Sequence, residues 1–254
     1  PDFESPLQSA RTVTFKARNL DGDPINARIY VGHFEARVSP IADTNPATTG
    51  FPHLDDVAKF APGTYEFTAQ APGYGFVRFR ETFRGGGSET IRIEMATNWA
   101  SAASGATATG DGGTTVASLI DDTENTQWTA AGNATGPLSV DGLKVTIDLA
   151  GTKSINVKYV NVSGMLQSGQ NRFTAVRQFE VWTCDANKGA SCATDAGYTK
   201  RYTSAADAFP GNSPRPVSPH LILRTFDIPN TKATHVRFLV KASQCTGGPN
   251  FLGE

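Results

Sequence analysis

Apolar residues recur at every second position in short runs along this chain, and that period limits the folds open to it. Val13, Phe15 and Ala17 alternate with Thr14, Lys16 and Arg18. Ile25, Ala27, Ile29 and Val31 share one face of a second run, Tyr65 and Phe67 one face of a third, and Val145, Ile147 and Leu149 one face of a fourth. A period of two sets one face of a strand on a core and the other in water. Turn sequences separate the runs: Asp21-Gly22-Asp23-Pro24, Pro62-Gly63, Pro72-Gly73 and Gly85-Gly86-Gly87. Pro presets one turn dihedral and Gly supplies left-handed φ. With 25 Gly and 15 Pro among 254 residues, and no long heptads, short strands joined by turns are favoured over helices. The expectation is an all-β chain, and its length suits two domains.

Charge and hydropathy remove several function classes. The formal net charge of -1 implies no general pull toward nucleic acid or an anionic membrane. No apolar run approaches the length of a transmembrane segment. The chain starts at Pro1 without Met, which reads as a cut or engineered start, so a missing signal peptide says nothing about secretion.

The stretch from Val116 to Trp128 carries the densest chemistry. Asp121, Asp122, Glu124, Asn125 and Thr126 put hard oxygens into one turn between a short apolar lead and a large aromatic. Such oxygens suit calcium better than zinc or copper, although an acidic turn is also simply a solvated loop and the EF-hand order is missing. Asp121, Thr126 and Trp128 match fixed positions of Ala-x-Asp-Gly-x-x-x-Thr-x-Trp, and the stretch resembles that signature of discoidin domains (coagulation factor 5/8 type C, galactose-binding-like). Asp122 departs from it, standing where the family has Gly; a Cβ there limits the turn to conformations Asp and Asn tolerate. The resemblance implies an eight-stranded β-sandwich with a structural calcium. Asp121 and Thr126 would bind it by side chain, Ser118 and Thr123 by backbone carbonyl, and a Glu on the last strand would complete the set. The chain is expected to end before that strand.

Residues 1–10 read as a linker. From residue 11, Asp21-Gly22-Asp23-Pro24-Ile25, then Pro62-Gly63-Thr64-Tyr65 and Ala71-Pro72-Gly73-Tyr74, resemble a carboxypeptidase regulatory-like domain. That resemblance implies a prealbumin-like β-sandwich over 11–96, closed by strands from Phe76 to Phe83 and Thr90 to Met95. The Gly85–Gly87 run lacks the Lys-Ser/Thr of a phosphate loop and reads as a hairpin turn. Residues 97–254 resemble the discoidin domain, a jelly-roll, galactose-binding-like sandwich. The supporting segments are Asn98-Trp99-Ala100, Lys144–Leu149 ending in Asp-Leu, Phe173–Trp182 and Thr234–Val240. Ile155, Val157, Tyr159 and Val160 are expected in its core, and Trp99, Trp128 and Trp182 read as core residues rather than sugar platforms. Cys184 to Pro219 reads as a long surface loop.

Cys184 and Cys192 bracket a polar turn, and a disulfide between them is favoured over two free thiols or two metal ligands, since the spacing fits no common zinc site. Such a bond implies an oxidising compartment; Cys245, the third, is left without a partner. Asn133-Ala-Thr135 and Asn161-Val-Ser163 are glycosylation sequons, with chance the default reading.

No catalytic motif is present. His-Glu-x-x-His and Gly-x-Ser-x-Gly are absent. His33 with Glu35 and His53 with Asp55 and Asp56 read as solvated loop pairs, His220 stands apart, and His235 as an exposed strand residue. Binding is the remaining class. Gln167, Gln170, Asn171 and Arg172 offer hydrogen bonds to sugar hydroxyls or carboxylates, with Phe173 as a stacking face; equally, Phe173 opens a core strand and Arg172 is a surface charge. The order of the two modules is similar to the C-terminal region of bacterial fungalysin-type (M36) secreted metallopeptidases. It implies a non-catalytic accessory region, extracellular, that binds a glycan or an extracellular protein for docking, adhesion or stability, with a catalytic domain upstream in the same polypeptide. The alternative is a stand-alone carbohydrate-binding or adhesive cell-surface protein.

Overall fold

A computed structural model describes residues 10–32, 42–43, 57–111, 113–114, 116–123, 126, 128–130, 142–163, 176–209, 223–243 and 250–252. The chain divides into two units between Asn98 and Trp99. Both are built from strands, with only single 3-10 turns among the described residues. The protein is all-β, two sandwiches in series.

Among the described residues the first unit has seven strands: β1 Arg11–Asn19, β2 Arg28–Val31, β3 Ala42–Asp43, β4 Val57–Phe60, β5 Gly63–Ala71, β6 Gly75–Phe83 and β7 Ser88–Met95. They form two sheets, ordered β4-β1-β7 and β3-β2-β5-β6. β1 runs parallel to β7 from Thr12↔Ser88 to Asn19↔Met95, so Phe15 and Ala17 align with Ile91 and Ile93 on the buried face. The tight turn between β5 and β6 is set by Gly73 at φ 80, with the Tyr74 amide donating to the Ala71 carbonyl at 3.0 Å. Aromatic rings fill the space between the sheets. Phe67 meets Phe15 edge-on at 5.5 Å and Phe60 at 5.3 Å, an arrangement that favours the ring quadrupoles. The second sequence run behaves differently from its pattern. Ala27 and Ile29 are buried, but pairing begins only at Arg28, and Val31 is 36% exposed. Gly32, at φ 97, turns the chain off the sheet there.

The described residues of the second unit form ten: β8 Thr107–Gly110, β9 Gly113–Thr114, β10 Trp128–Ala130, β11 Lys144–Asp148, β12 Ile155–Val162, β13 Val176–Cys184, β14 Thr199–Thr203, β15 Arg224–Ala233, β16 His235–Ser243 and β17 Asn250–Leu252. A five-stranded sheet, β14-β13-β16-β11-β8, shares one core with the ribbon β12-β15 and the small sheet β17-β10-β9. Phe179 is central, stacked on Phe238 at 4.4 Å and edge-on to Phe226 at 4.9 Å. Val145, Val181, Val236 and Val240 line the same side.

Four expectations are corrected here. The last strand is inside the chain: Asn250–Leu252 pairs antiparallel with Trp128–Ala130. The segment from Cys184 to Pro219 is not loop throughout, because Thr199–Thr203 joins the five-stranded sheet as its edge and Tyr198, Ala208 and Phe209 are buried. Tyr159 lies outside the core at 46% exposure, since the β12–β15 register breaks just before it. Of the three tryptophans only Trp128 is buried. Trp99 is exposed, and Trp182 is half-buried with its ring nitrogen donating to Glu180 Oε2 at 2.9 Å.

Candidate functional site

The oxygen-rich turn leaves the core of the second unit and returns to it within a few residues. Val116–Leu119 makes one 3-10 turn, Leu119 and Ile120 are buried, and Trp128 re-enters the core as the first residue of β10. Asp121 and Thr126 close the turn from its two sides. The Thr126 hydroxyl donates to Asp121 Oδ2 at 2.6 Å and lies 3.5 Å from the Ser118 carbonyl oxygen. The Thr123 amide donates to Asp121 Oδ1 at 3.3 Å. Ser118, Asp121 and Thr126 thus bring oxygens to one point, while Thr123 meets Asp121 through its amide rather than its carbonyl. Glu124 and Asn125 lie outside the described residues.

The electrostatics of this point follow from its donors. Desolvation raises the pKa of Asp121, and the neighbouring charge of Asp122 acts in the same direction; the hydrogen bonds from Thr126 and Thr123 oppose them. The set is a carboxylate, a hydroxyl and a carbonyl, the hard donors that suit calcium, and a cation is what would favour a partly desolvated carboxylate. Among the described residues no group of three or more His, Cys, Asp or Glu gathers.

Asp122 shows what happens at the position where the resembled family has Gly. Its φ of 59 is left-handed, a region Asp tolerates through its short polar side chain. The side chain is buried, and its Oδ2 accepts from the Ser101 hydroxyl. Ser101 also accepts from the Ala103 amide at 3.1 Å and so caps the turn Ala102–Ser104, which Gly105 ends at φ 97. The Ala102 amide reaches the Ile120 carbonyl at 2.7 Å. Ser101 was not singled out from sequence, although a Ser before a short run closed by Gly is a capping signal.

The other closed turn begins at the end of β13. Cys184 and Cys192 are joined by a disulfide, with Cα atoms 5.7 Å apart, which removes the free-thiol and metal-ligand alternatives. Asp185 caps the turn Ala186–Lys188 through the Asn187 amide at 3.2 Å. The segment beyond is anchored to the five-stranded sheet by Asp195, which accepts from Arg237 Nη1 at 2.7 Å and Lys144 Nζ at 2.9 Å. Those cations, Lys144 first, hold the Asp195 carboxyl below its ordinary pKa. The Arg237 guanidinium lies 3.6 Å from the centre of the Tyr198 ring, and the Tyr198 hydroxyl donates to the Cys192 carbonyl at 3.1 Å. Burial raises the pKa of that phenol. His235 is half-buried rather than exposed, with Nδ1 2.8 Å from Thr234 Oγ1 and Nε2 3.5 Å from Asp148 Oδ1.

Gln167, Gln170, Asn171, Arg172 and Phe173 lie outside the described residues, as do His33, His53 and His220. Among the described residues no helix is long and apolar enough to cross a membrane.

No protein-family model and no curated protein matches this chain. Solved structures do. The CpGH89CBM32-5 module of Clostridium perfringens, in complex with GalNAc-β-1,3-galactose, is 18% identical over 59% of this chain and 92% of its own, with a TM-score of 0.39. The family 32 CBM of C. perfringens NanJ, in complex with galactose, is 15% identical over 58% and 88%, also at 0.39. Chitosan-binding module 2 of a Paenibacillus sp. IK-5 chitosanase/glucanase, in complex with chitotriose, is 13% identical over 62% and 100%, at 0.41. Similarity at these scores carries none of the argument, and the fold stands on the strand pairing described above.

Proposed function

We propose that this chain is a non-catalytic accessory region of a secreted multidomain hydrolase, and that its second sandwich binds glycans through loops held by calcium. The observation that carries the reading is the convergence of Ser118, Asp121 and Thr126 in the turn that leads to the buried Trp128. These are three of the five ligand positions that the discoidin resemblance implies; the Thr123 carbonyl and a Glu on the last strand are the other two. Those three residues would hold the ion, whose part is to fix the loop rather than to do chemistry. The Cys184–Cys192 bond supports an extracellular setting, because such bonds persist in oxidising compartments. The finer assignment, an upstream M36-type zinc metallopeptidase, rests on the order of the two modules alone.

Calorimetric titration of the intact chain with galactose, GalNAc-β-1,3-galactose and chitotriose tests the binding. Saturable heat with at least one sugar, weakened by Arg172→Ala or Gln170→Ala, is the expected result. No binding to any of the three overturns the glycan reading. Turnover of casein or an aryl glycoside that survives purification and tracks with the intact chain overturns the non-catalytic one.

A further inference from the structure

The ribbon β12–β15 breaks its register between Val157 and Tyr159. Val157 pairs with Thr231 and Tyr159 with Asp227, so Ile228, Pro229 and Asn230 stand opposite Lys158 alone. Pro229 explains the break, since a residue without an amide hydrogen cannot take its place in the ladder. The consequence is a change of facing in both strands. Ile155 and Val157 are half-buried at odd positions, then Val160 and Val162 turn inward at even ones. On the partner, Phe226 and Ile228 are buried at even positions and Ala233 at an odd one. A bulge of this kind re-aims side chains. Here it turns out Tyr159, which the alternation from Ile155 and Val157 would have sent to the core.

The exposed face around Tyr159 is polar in a particular way. Its cross-strand partner is Asp227, about 5 Å away between Cβ atoms in such a pair. Two residues along, about 7 Å at strand rise, Asn161 and Thr225 form the next pair on the same face. The Thr225 hydroxyl donates to Asn161 Oδ1 at 2.9 Å, which orients the amide and leaves its nitrogen as a donor. Among the described residues neither that nitrogen nor the Asp227 carboxylate has a partner. An aromatic face is thus flanked by an acceptor on one side and an oriented donor on the other. A pyranose needs both: its C–H face stacks on a ring, and each hydroxyl donates and accepts. A protein partner would favour several large apolar groups together, and among the described residues of this unit only Trp99 and Tyr159 are exposed large hydrophobics.

We propose that this face of the ribbon is a second glycan-binding site, with Tyr159 stacking on a pyranose and Asp227 and Asn161 bonding to its hydroxyls. It rests on the glycan-binding reading and adds to it a site on a sheet face rather than on the end loops. The test is calorimetry of the intact chain with chitotriose and with GalNAc-β-1,3-galactose, comparing wild type, Tyr159→Ala, Tyr159→Phe, Asp227→Ala and Arg172→Ala. Expected is a second binding event, separate from the one that Arg172→Ala weakens, which falls about tenfold in Tyr159→Ala and in Asp227→Ala and persists in Tyr159→Phe. Tyr159 and Asp227 are exposed, so both alanine variants should melt with wild type; should one misfold, the other decides. Sugar binding that is lost in Arg172→Ala and untouched in Tyr159→Ala and Asp227→Ala overturns this site and leaves the loop reading standing. No binding of either sugar by the wild type overturns this site, and with galactose also inert the broader reading falls as well.

Discussion

The two closed turns of the second unit solve the same problem with different chemistry. Each holds an aspartate at the surface of a sandwich. Just past the disulfide loop Asp195 lies against Lys144 and Arg237, and its pKa falls. In the turn before β10 Asp121 is bound by a hydroxyl and an amide, and its pKa rises because desolvation outweighs them. The first region has a covalent bond and takes its cations from β11 and β16. The second is held by hydrogen bonds within a short loop, and it is where we propose that a cation from solution binds. Burial decides the shift of one carboxylate and neighbouring cations that of the other.

Removing the covalent closure should have the largest effect. Cys184→Ser with Cys192→Ser is expected to destabilise the second unit by about 2–3 kcal/mol on the loop-entropy model. Gly197→Ala attacks the same closure without removing a cysteine, because a Cβ there would meet the Ser191 carbonyl oxygen at 2.1 Å and Cys184 Sγ at 3.3 Å. Its cost is expected at about 1–3 kcal/mol, the range for forced overpacking. Urea melts of both variants should show lowered midpoints, and a Gly197→Ala midpoint equal to wild type would mean the closed segment yields easily.

Calcium probes the other turn. At about a hundredfold excess over its dissociation constant, an ion that binds only the folded state adds roughly 2.7 kcal/mol. The melting midpoint of the wild type should rise with calcium and return with chelator, while Asp121→Asn should show no shift. An equal shift in that variant would move the ion elsewhere, and no shift in the wild type would end the comparison as drawn.

Both turns were legible in sequence because their closing residues are near neighbours. Cys184 and Cys192 are separated by eight positions and Asp121 and Thr126 by five. What holds the turns to their surroundings was not legible. Arg237 is 42 positions from Asp195 and Ser101 is 21 from Asp122, and no local pattern announces such pairs. The same limit explains the strands. β1 and β11 follow their alternation because each faces a single core. Tyr159 departs from its alternation because a proline on a distant strand, Pro229, breaks the ladder opposite. β17 is only three residues long and offers too little pattern to read.

The smallest expected effect is also the most direct contrast: the two aspartates should give opposite pH dependences. Asp195 has a lowered folded pKa. Its contribution is present above the unfolded value, about 3.9, and is lost as pH falls through the lowered one. Asp121 has a raised folded pKa. In chelator its contribution is present below the unfolded value and is lost as pH rises through the raised one. Replacing Asp195 by Asn should therefore lower stability at neutral pH and matter less in acid. Replacing Asp121 by Asn in chelator should leave stability at neutral pH unchanged or raised, with the gain fading in acid. Denaturant melts at several pH values between about 3 and 7 would read both, spanning the unfolded carboxylate value and neutrality. Two aspartates that shift stability in the same direction would show that their neighbours do not set these turns apart. Opposite slopes would leave the cation as the difference, supplied by Lys144 and Arg237 in one turn and left to the solution in the other.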